Sequence, residues 1–361
     1  MNKSPDSDFQ KGFVPRRHFL QWTGAGAVGL PALLGGYGGS APALAAEPSA
    51  AGVQTLTIRV SYDAPVNFIN DRTLKKWAET IKERSEGKIT VQVYPAGQLF
   101  HDADAMQAMV TSRGASVQMV STSAFYLEPY AIAAGVFELP YEFASAGQFE
   151  NAFASSPGKL VSKRLADAGL IVIGDIIDLG PLIFVSAKKP LRTLSDLHGL
   201  KVRNLSGQIT AETIAALGAG SVDIPFPQLP LALSQGTVDA AVATYLAWNA
   251  VLSDIANYAI DPQMWKVGYL QIVQRDWWNS LNVPTRSLIS SSLSEAIKAS
   301  WPVLNTMLTT AKQALASKGR QAVTLPASEQ VAWKQATAGV VSKWEPKIGR
   351  DIVEGFRNAK A

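Results

Sequence analysis

Two hydrophobic periods alternate along the chain. LTIRVSYDAP, from residue 56, alternates apolar and polar positions and predicts a strand ending at polar Ser61, Tyr62 and Asp63. TLKKWAETIKERSEG then places Leu74, Trp77 and Ile81 at helical spacing, with Gly87 as the stop. KITVQVYPAG predicts a second strand, and MQAMVTSRGASVQMVST predicts a helix and a third strand ending at Ser121 and Thr122. Strand, helix and strand joined by short links imply parallel strands covered by helices. Ligands gather beyond the carboxyl ends of such strands, so the loops at 61–67 and 121–127 are expected walls of a cleft.

The same logic restarts near residue 170. Leu170–Ile177 and LIFVSA at 182–187 are read as two strands, and Ser195 as the cap of a short helix that Gly199 ends. KVRN is a short strand carrying Arg203, GQITAETIAALG a helix, GSVDIP a strand, PQLPLALSQG a short helix, and TVDAAVAT a strand leading to Tyr245 and Trp248. MWKVGYLQIVQRDWWNSL reads as a strand crossing back between lobes, followed by a helix start. From SSLSEAIKASWP onward a long amphipathic helix carries Ile297, Leu304, Leu308, Ala311 and Leu315, with Pro302 as a start or kink. A final helix is expected to be capped by Ser328 and to end before Pro346.

These elements define an α/β fold of two lobes around a cleft. The expected divisions are an export signal at 1–45, a first lobe at 50–175 to which later strands return, and a second lobe at 176–270. Residues 271–361 are expected to supply crossing strands, the long helix and the C-terminal helices. A chain of 361 residues suits two lobes better than one core.

Composition narrows the function. The formal charge of +4 falls to +2 once the first 45 residues are set aside, because Lys3, Lys11, Arg16 and Arg17 outnumber Asp6 and Asp8 there. That balance lacks the concentrated basic face of a nucleic-acid binder. The absence of cysteine excludes disulfides and thiolate chemistry. His18, His101 and His198 form no metal set by spacing, and no cofactor motif stands out. PRRHFLQWTGAGAVGLPALLGGYGGSAPALA resembles a twin-arginine export signal, with cleavage after Ala45 or Ala46, and places the mature protein in the periplasm.

Arg203 is the leading candidate for chemistry. Set at a strand end before a helix, its planar fork can clamp a carboxylate. The competing readings are a salt bridge to Glu212, Asp223 or Asp239, or a solvated surface charge. Tyr62, Phe125, Tyr126, Tyr245 and Trp248 are aromatic candidates for the walls of a pocket, against the plainer reading of core packing. Asp63, Ser121, Thr122 and Thr244 are the polar candidates, against helix capping and turn bonding.

The ordered segments VSYDAP, SEGKITVQVYPAGQL, VFELPYEF, DLHGLKVRN, ETIAALGAGSVDIPFPQL and ALSQGTVDAA resemble the solute receptors of tripartite ATP-independent periplasmic (TRAP) transporters, from about residue 55 to about 340. The resemblance implies lobes joined by crossing strands, bridged by a long helix and closing on an organic anion for a membrane permease. It also implies that Arg203 pairs with the substrate carboxylate and that Gly207 opens the next helix. Val238, Asp239 and Ala240 resemble the family's Val-Asp-Gly strand.

Two departures stand out. Gly180, Pro181 and Leu182 replace a Gly-x-Arg segment that carries a second ligand arginine in many relatives. Ala241, Val242, Ala243 and Thr244 stand where relatives carry a Glu followed by Asn or Gln. Fewer polar anchors point to a monocarboxylate with an apolar body. A sensor subunit without a permease, or an enzyme acting on a carboxylate, are the alternatives, though no nucleophile and base pair supports the latter. A monomer is expected, with a dimer through a swapped terminal helix left open.

Overall fold

A computed structural model describes residues 50–359. The export signal expected at 1–45 lies outside the described residues. In chain order the main elements are β1 (Leu56–Ser61), α1 (Ile69–Arg84), β2 (Ile89–Tyr94), α2 (Asp102–Thr111), β3 (Met119–Ser123), α3 (Ser156–Asp167) and β4 (Leu170–Ser186). Then follow β5 (Lys201–Asn204), α4 (Gln208–Ala216), β6 (Gly220–Asp223), α5 (Leu229–Ser234), β7 (Ala240–Thr244) and β8 (Tyr258–Gln274). The chain closes with α6 (Val283–Ser317), β9 (Ala322–Thr324), α7 (Ala327–Ile348) and α8 (Arg350–Asn358).

The strands run in the order β2-β1-β3-β8-β4-β7-β5-β6, with β9 on β8. The first wing pairs β1 in parallel with β2 and β3, and the second pairs β5 in parallel with β6 and β7. Between the wings run β4 and β8, each 17 residues long and mutually antiparallel. A strand of that length reaches well past one lobe, at about 3.3 Å per residue. The crossing strands therefore lie at 170–186 and 258–274, and beyond residue 274 the described chain adds helices and the short β9.

Several local readings change. The two strands expected between 170 and 187 are one, because β4 absorbs irregularities between Ile173 and Phe184 without leaving its partner β8. The short helix at Leu194–Leu197 is capped by Thr193, in a capping box with Asp196, and not by Ser195. The long helix starts at Val283 behind Asn282, whose side chain accepts from Thr285 N, and Pro302 lies inside it. Its packing along β4 and α1 outweighs the missing proline N–H. α7 begins after Pro326 and runs through Pro346 to Ile348. A proline this near the C-terminal end disturbs only the last turn.

α1 shows how pattern becomes packing. Ile69, Leu74, Trp77 and Ile81 are all buried on one face, and the Trp77 indole donates to Ser292 Oγ of α6 at 3.0 Å. This ties the first wing to the helix that spans the molecule.

α8 seats Phe356 among Phe137, Phe143 and Phe149. Beside this cluster Glu142 is 4% exposed and meets Arg357 at 3.2 Å. Burial outweighs the arginine and pushes the Glu142 carboxyl from its ordinary 4.5 up to about 7. A carboxyl that holds its proton more tightly when folded favours the fold below the unfolded value, and that contribution is lost as pH rises through about 7. Thermal melts of Glu142→Gln and the parent between roughly pH 4.5 and 7.5 should show the parent losing stability relative to the variant as pH rises. Parallel curves would contradict the shift.

Candidate functional site

The second wing carries Arg203. Arg203 is the third residue of β5, in register with Val222 of β6 and Ala241 of β7, and is only 2% exposed. Its Nε donates to the Ile224 carbonyl at 2.8 Å and Nη1 to the Val242 carbonyl at 3.2 Å. The Phe226 ring centre lies 6.0 Å from Cζ. These contacts fix the guanidinium plane while using only two of its five N–H bonds.

None of the acids that the sequence offers as a salt-bridge partner takes that role. Glu212 binds Lys343 and the Trp344 indole, Asp223 accepts from Asn204, and Asp239 pairs with Lys188. Among the described residues no carboxylate lies within 4.0 Å of Arg203. Burial pulls its guanidinium below the usual range, although the nearby Tyr126, Tyr269, Asp63 and Asp223 oppose this.

The first wing faces it with two acids. Asp63 follows β1, and Asp102 opens α2; they are 2% and 1% exposed. Asp102 Oδ1 accepts from Asp63 N at 3.0 Å, and its Oδ2 from Thr122 Oγ1 at 2.9 Å. Asp63 Oδ1 meets His101 Nδ1 at 2.9 Å, while Oδ2 has no hydrogen-bond partner among the described residues. Burial raises both carboxyls above the ordinary range; the Asp63 charge adds to the rise at Asp102, and Arg203 works against it at both.

Between the wings lies a cavity with about 530 Å³ of empty space, its mouth included. Arg203, Asp63 and Asp102 line it with Phe68, Tyr126, Phe226 and Tyr269, and Leu179, Leu182, Val242 and Val267 complete an apolar wall. The lobes touch across it. Tyr126 Oη donates to the Leu205 carbonyl at 2.8 Å, and Phe68 meets Phe226 edge-on at 6.1 Å. Both expected loops contribute, through Asp63, Ala64 and Pro65 and through Ser123 and Tyr126, and Phe68 lies just beyond the first.

Of the eight residues singled out most strongly by sequence, Arg203, Asp63 and Thr244 line this cavity. Thr244 is also a helix cap, its Oγ1 accepting from Ala247 N. The other five lie elsewhere. The Tyr62 hydroxyl donates to Asp71 inside the first lobe, Ser121 accepts from Gln271, and Phe125 is core. Tyr245 donates to Asp261 and stacks under Lys312, and Trp248 donates to the Ala256 carbonyl; both border a separate surface pocket beside α6. Thr122, a further polar candidate, supports Asp102 from behind.

Sequence reasoning passed over Asp102, Phe68, Phe226, Leu179 and Tyr269. Phe226 carried a signal, standing between Pro225 and Pro227 directly after β6, where an apolar ring in a loop has no strand to pack into. Tyr269 carried none, because it lies within the largely apolar run VGYLQIV, where nothing sets one residue apart from the next.

Two α/β wings closed by crossing strands over an arginine-bearing cavity define a solute receptor of the two-lobed binding-protein class. Residues 60–347 match the family model for the bacterial extracellular solute-binding protein, family 7 (DctP), and the chain belongs to that family. It is a periplasmic solute-binding protein of the TRAP type, a carrier and not an enzyme.

The chain is 26% identical to the C4-dicarboxylate-binding periplasmic protein DctP of Shewanella loihica over 82% of this chain and 88% of that one. It is 25% identical to the protein of the same name from Rhodobacter capsulatus over 89% and 94%. A TRAP periplasmic solute-binding protein from Roseobacter denitrificans, solved with β-D-glucuronate, shares the fold at a TM-score of 0.79 and 19% identity, covering 84% of this chain and all of that one. One from Sulfurospirillum deleyianum, solved with succinate, does so at 0.77 and 21%, covering 85% and all.

Proposed function

We propose that the protein captures a small organic carboxylate in the periplasm and presents it to a TRAP membrane permease. The observation that carries this reading is Arg203, buried with most of its donors unused in a cavity between lobes and with no carboxylate of its own. A fully charged fork so placed favours a planar anion that can meet it bidentately. Contacts made across both lobes would favour the closed arrangement over the open one.

The relatives named above are described with dicarboxylates or a sugar acid. For this chain the finer reading is a ligand with one carboxylate and an apolar body. Leu182 lines the cavity in the segment where many relatives carry a second arginine, and Leu179, Val242 and Val267 extend that apolar wall. A second carboxylate or a ring of hydroxyls would lose its water there without matching donors.

A thermal-shift comparison of single-carboxylate acids, succinate and glucuronate tests this. At a hundredfold excess over Kd, a matching acid should raise the melting temperature by roughly 3–6 °C. Apolar monocarboxylates should give the larger shift; a larger one with succinate or glucuronate would overturn the finer reading.

A further inference from the structure

We infer that the solute is a zwitterion, whose carboxylate lies on Arg203 and whose protonated, N–H-bearing nitrogen lies on Asp63. This rests on the reading of Arg203 as the carboxylate anchor and adds the other end of the ligand.

The cavity is electrically two-ended. Arg203 stands in the second lobe; Asp63 and Asp102 stand in the first, more than 4.0 Å from it yet near enough to feel its charge. The groups facing Asp63 are His101, Asp102 and Arg203, with Tyr126 and Tyr269 at the cavity wall. His101 occupies Oδ1, and Asp102 is committed to Asp63 N and Thr122. Asp63 Oδ2 is thus a buried acceptor, on a lining residue, with none of the described residues donating to it. Buried acceptors of this kind are uncommon and invite a donor.

Ligand charge decides which donor suits. With an acid on Arg203, the guanidinium charge that offsets Asp63 and Asp102 is engaged by the newcomer. A ligand carrying only a carboxylate weakens that offset at two acids that burial already disfavours as anions, and a second carboxylate worsens this. A protonated nitrogen leaves the cavity at the net charge it has before the ligand enters and supplies the missing N–H in one step. The rings of Phe68, Tyr126, Phe226 and Tyr269 form a wall that also favours a cation.

The test uses pairs that differ only in the nitrogen, titrated calorimetrically into the protein. Leucine is compared with 4-methylpentanoate, and 4-aminobutanoate with butanoate, two spacings between the charges. The hydroxyl control is 2-hydroxy-4-methylpentanoate. At least one aminated member should bind about tenfold or more tightly than its partner and than the hydroxy acid. In Asp63→Asn that preference should collapse.

Equal or tighter binding of the deaminated members in both pairs overturns the inference, and so does a preference that survives Asp63→Asn. If both members of each pair bind alike and both depend on Arg203, the carboxylate reading stands and the zwitterion falls. If no member binds, both fall. The comparison on the unaltered protein decides the matter even where the variant folds poorly.

Discussion

Replacing Arg203 with alanine is expected to weaken binding of any carboxylate ligand by about 100-fold or more, measured by calorimetry. Truncating one partner of a buried, hydrogen-bonded charge pair costs about 2–5 kcal/mol, and each 1.4 kcal/mol is tenfold in Kd. The effect is large here because nothing else replaces the fork. Leu182 is apolar, and Asp63 and Asp102, which also line the cavity, are acids. Arg203→Lys should recover only part of the loss: an ammonium keeps the charge but cannot hold the Ile224 and Val242 carbonyls and a carboxylate in one plane. A Kd for Arg203→Ala within threefold of the parent, with native circular dichroism, would remove Arg203 from the site.

The second large effect is expected at Gly207, which begins the helix after β5. Its φ of +92° and ψ of 137° belong to a region that other residues hardly enter, at a cost of about 1–3 kcal/mol. A Cβ there would also overlap the Glu138 carboxyl. Glu138 is fully buried and accepts from Thr210 N at 3.1 Å and Thr210 Oγ1 at 3.0 Å, holding the first turn of α4. Its own carbonyl accepts from the Trp265 indole of β8, so one residue joins the crossing strand to the helix that follows Arg203.

Gly207→Ala should therefore lose about 2–5 kcal/mol of stability in urea melts, strain and the displaced cap together. Its carboxylate affinity should fall too, since Arg203 lies four residues upstream on the same strand and loop. A stability loss below about 0.5 kcal/mol, the range of an ordinary surface change, would contradict the geometry.

Periodicity made the fold class legible, because each element is a local decision. Leu74, Trp77 and Ile81 need only helical spacing to share a face, and Gly87 stops the helix whatever lies beyond it. Boundaries were less secure where packing overrides local preference. Pro302 read as a start or kink and Pro346 as the point before which a helix ends, yet both helices continue through them, held by the surfaces they cover. β4 read as two strands because its irregular middle looks like a link, and only its partner β8 makes it one.

The site divides in the same way. Arg203 was legible because its position between strand and helix, and its family pattern, are properties of a short segment. Tyr62 and Asp63 were equally prominent, yet adjacent residues at a strand end point apart, sending one into the core against Asp71 and the other into the cavity. Phe125 and Tyr126, neighbours on a short helical turn, also part, one into the core and the other to the cavity.

The sequence by itself determined two α/β wings and a spanning helix and singled out one arginine at a strand end, since these follow from local pattern and from the family resemblance of a short segment. Only the tertiary structure decided what faces that arginine. Asp63, Asp102, Phe68, Phe226 and Tyr269 come from loops, a helix start and a crossing strand far apart in the chain, and no spacing records a meeting that depends on how the two wings close.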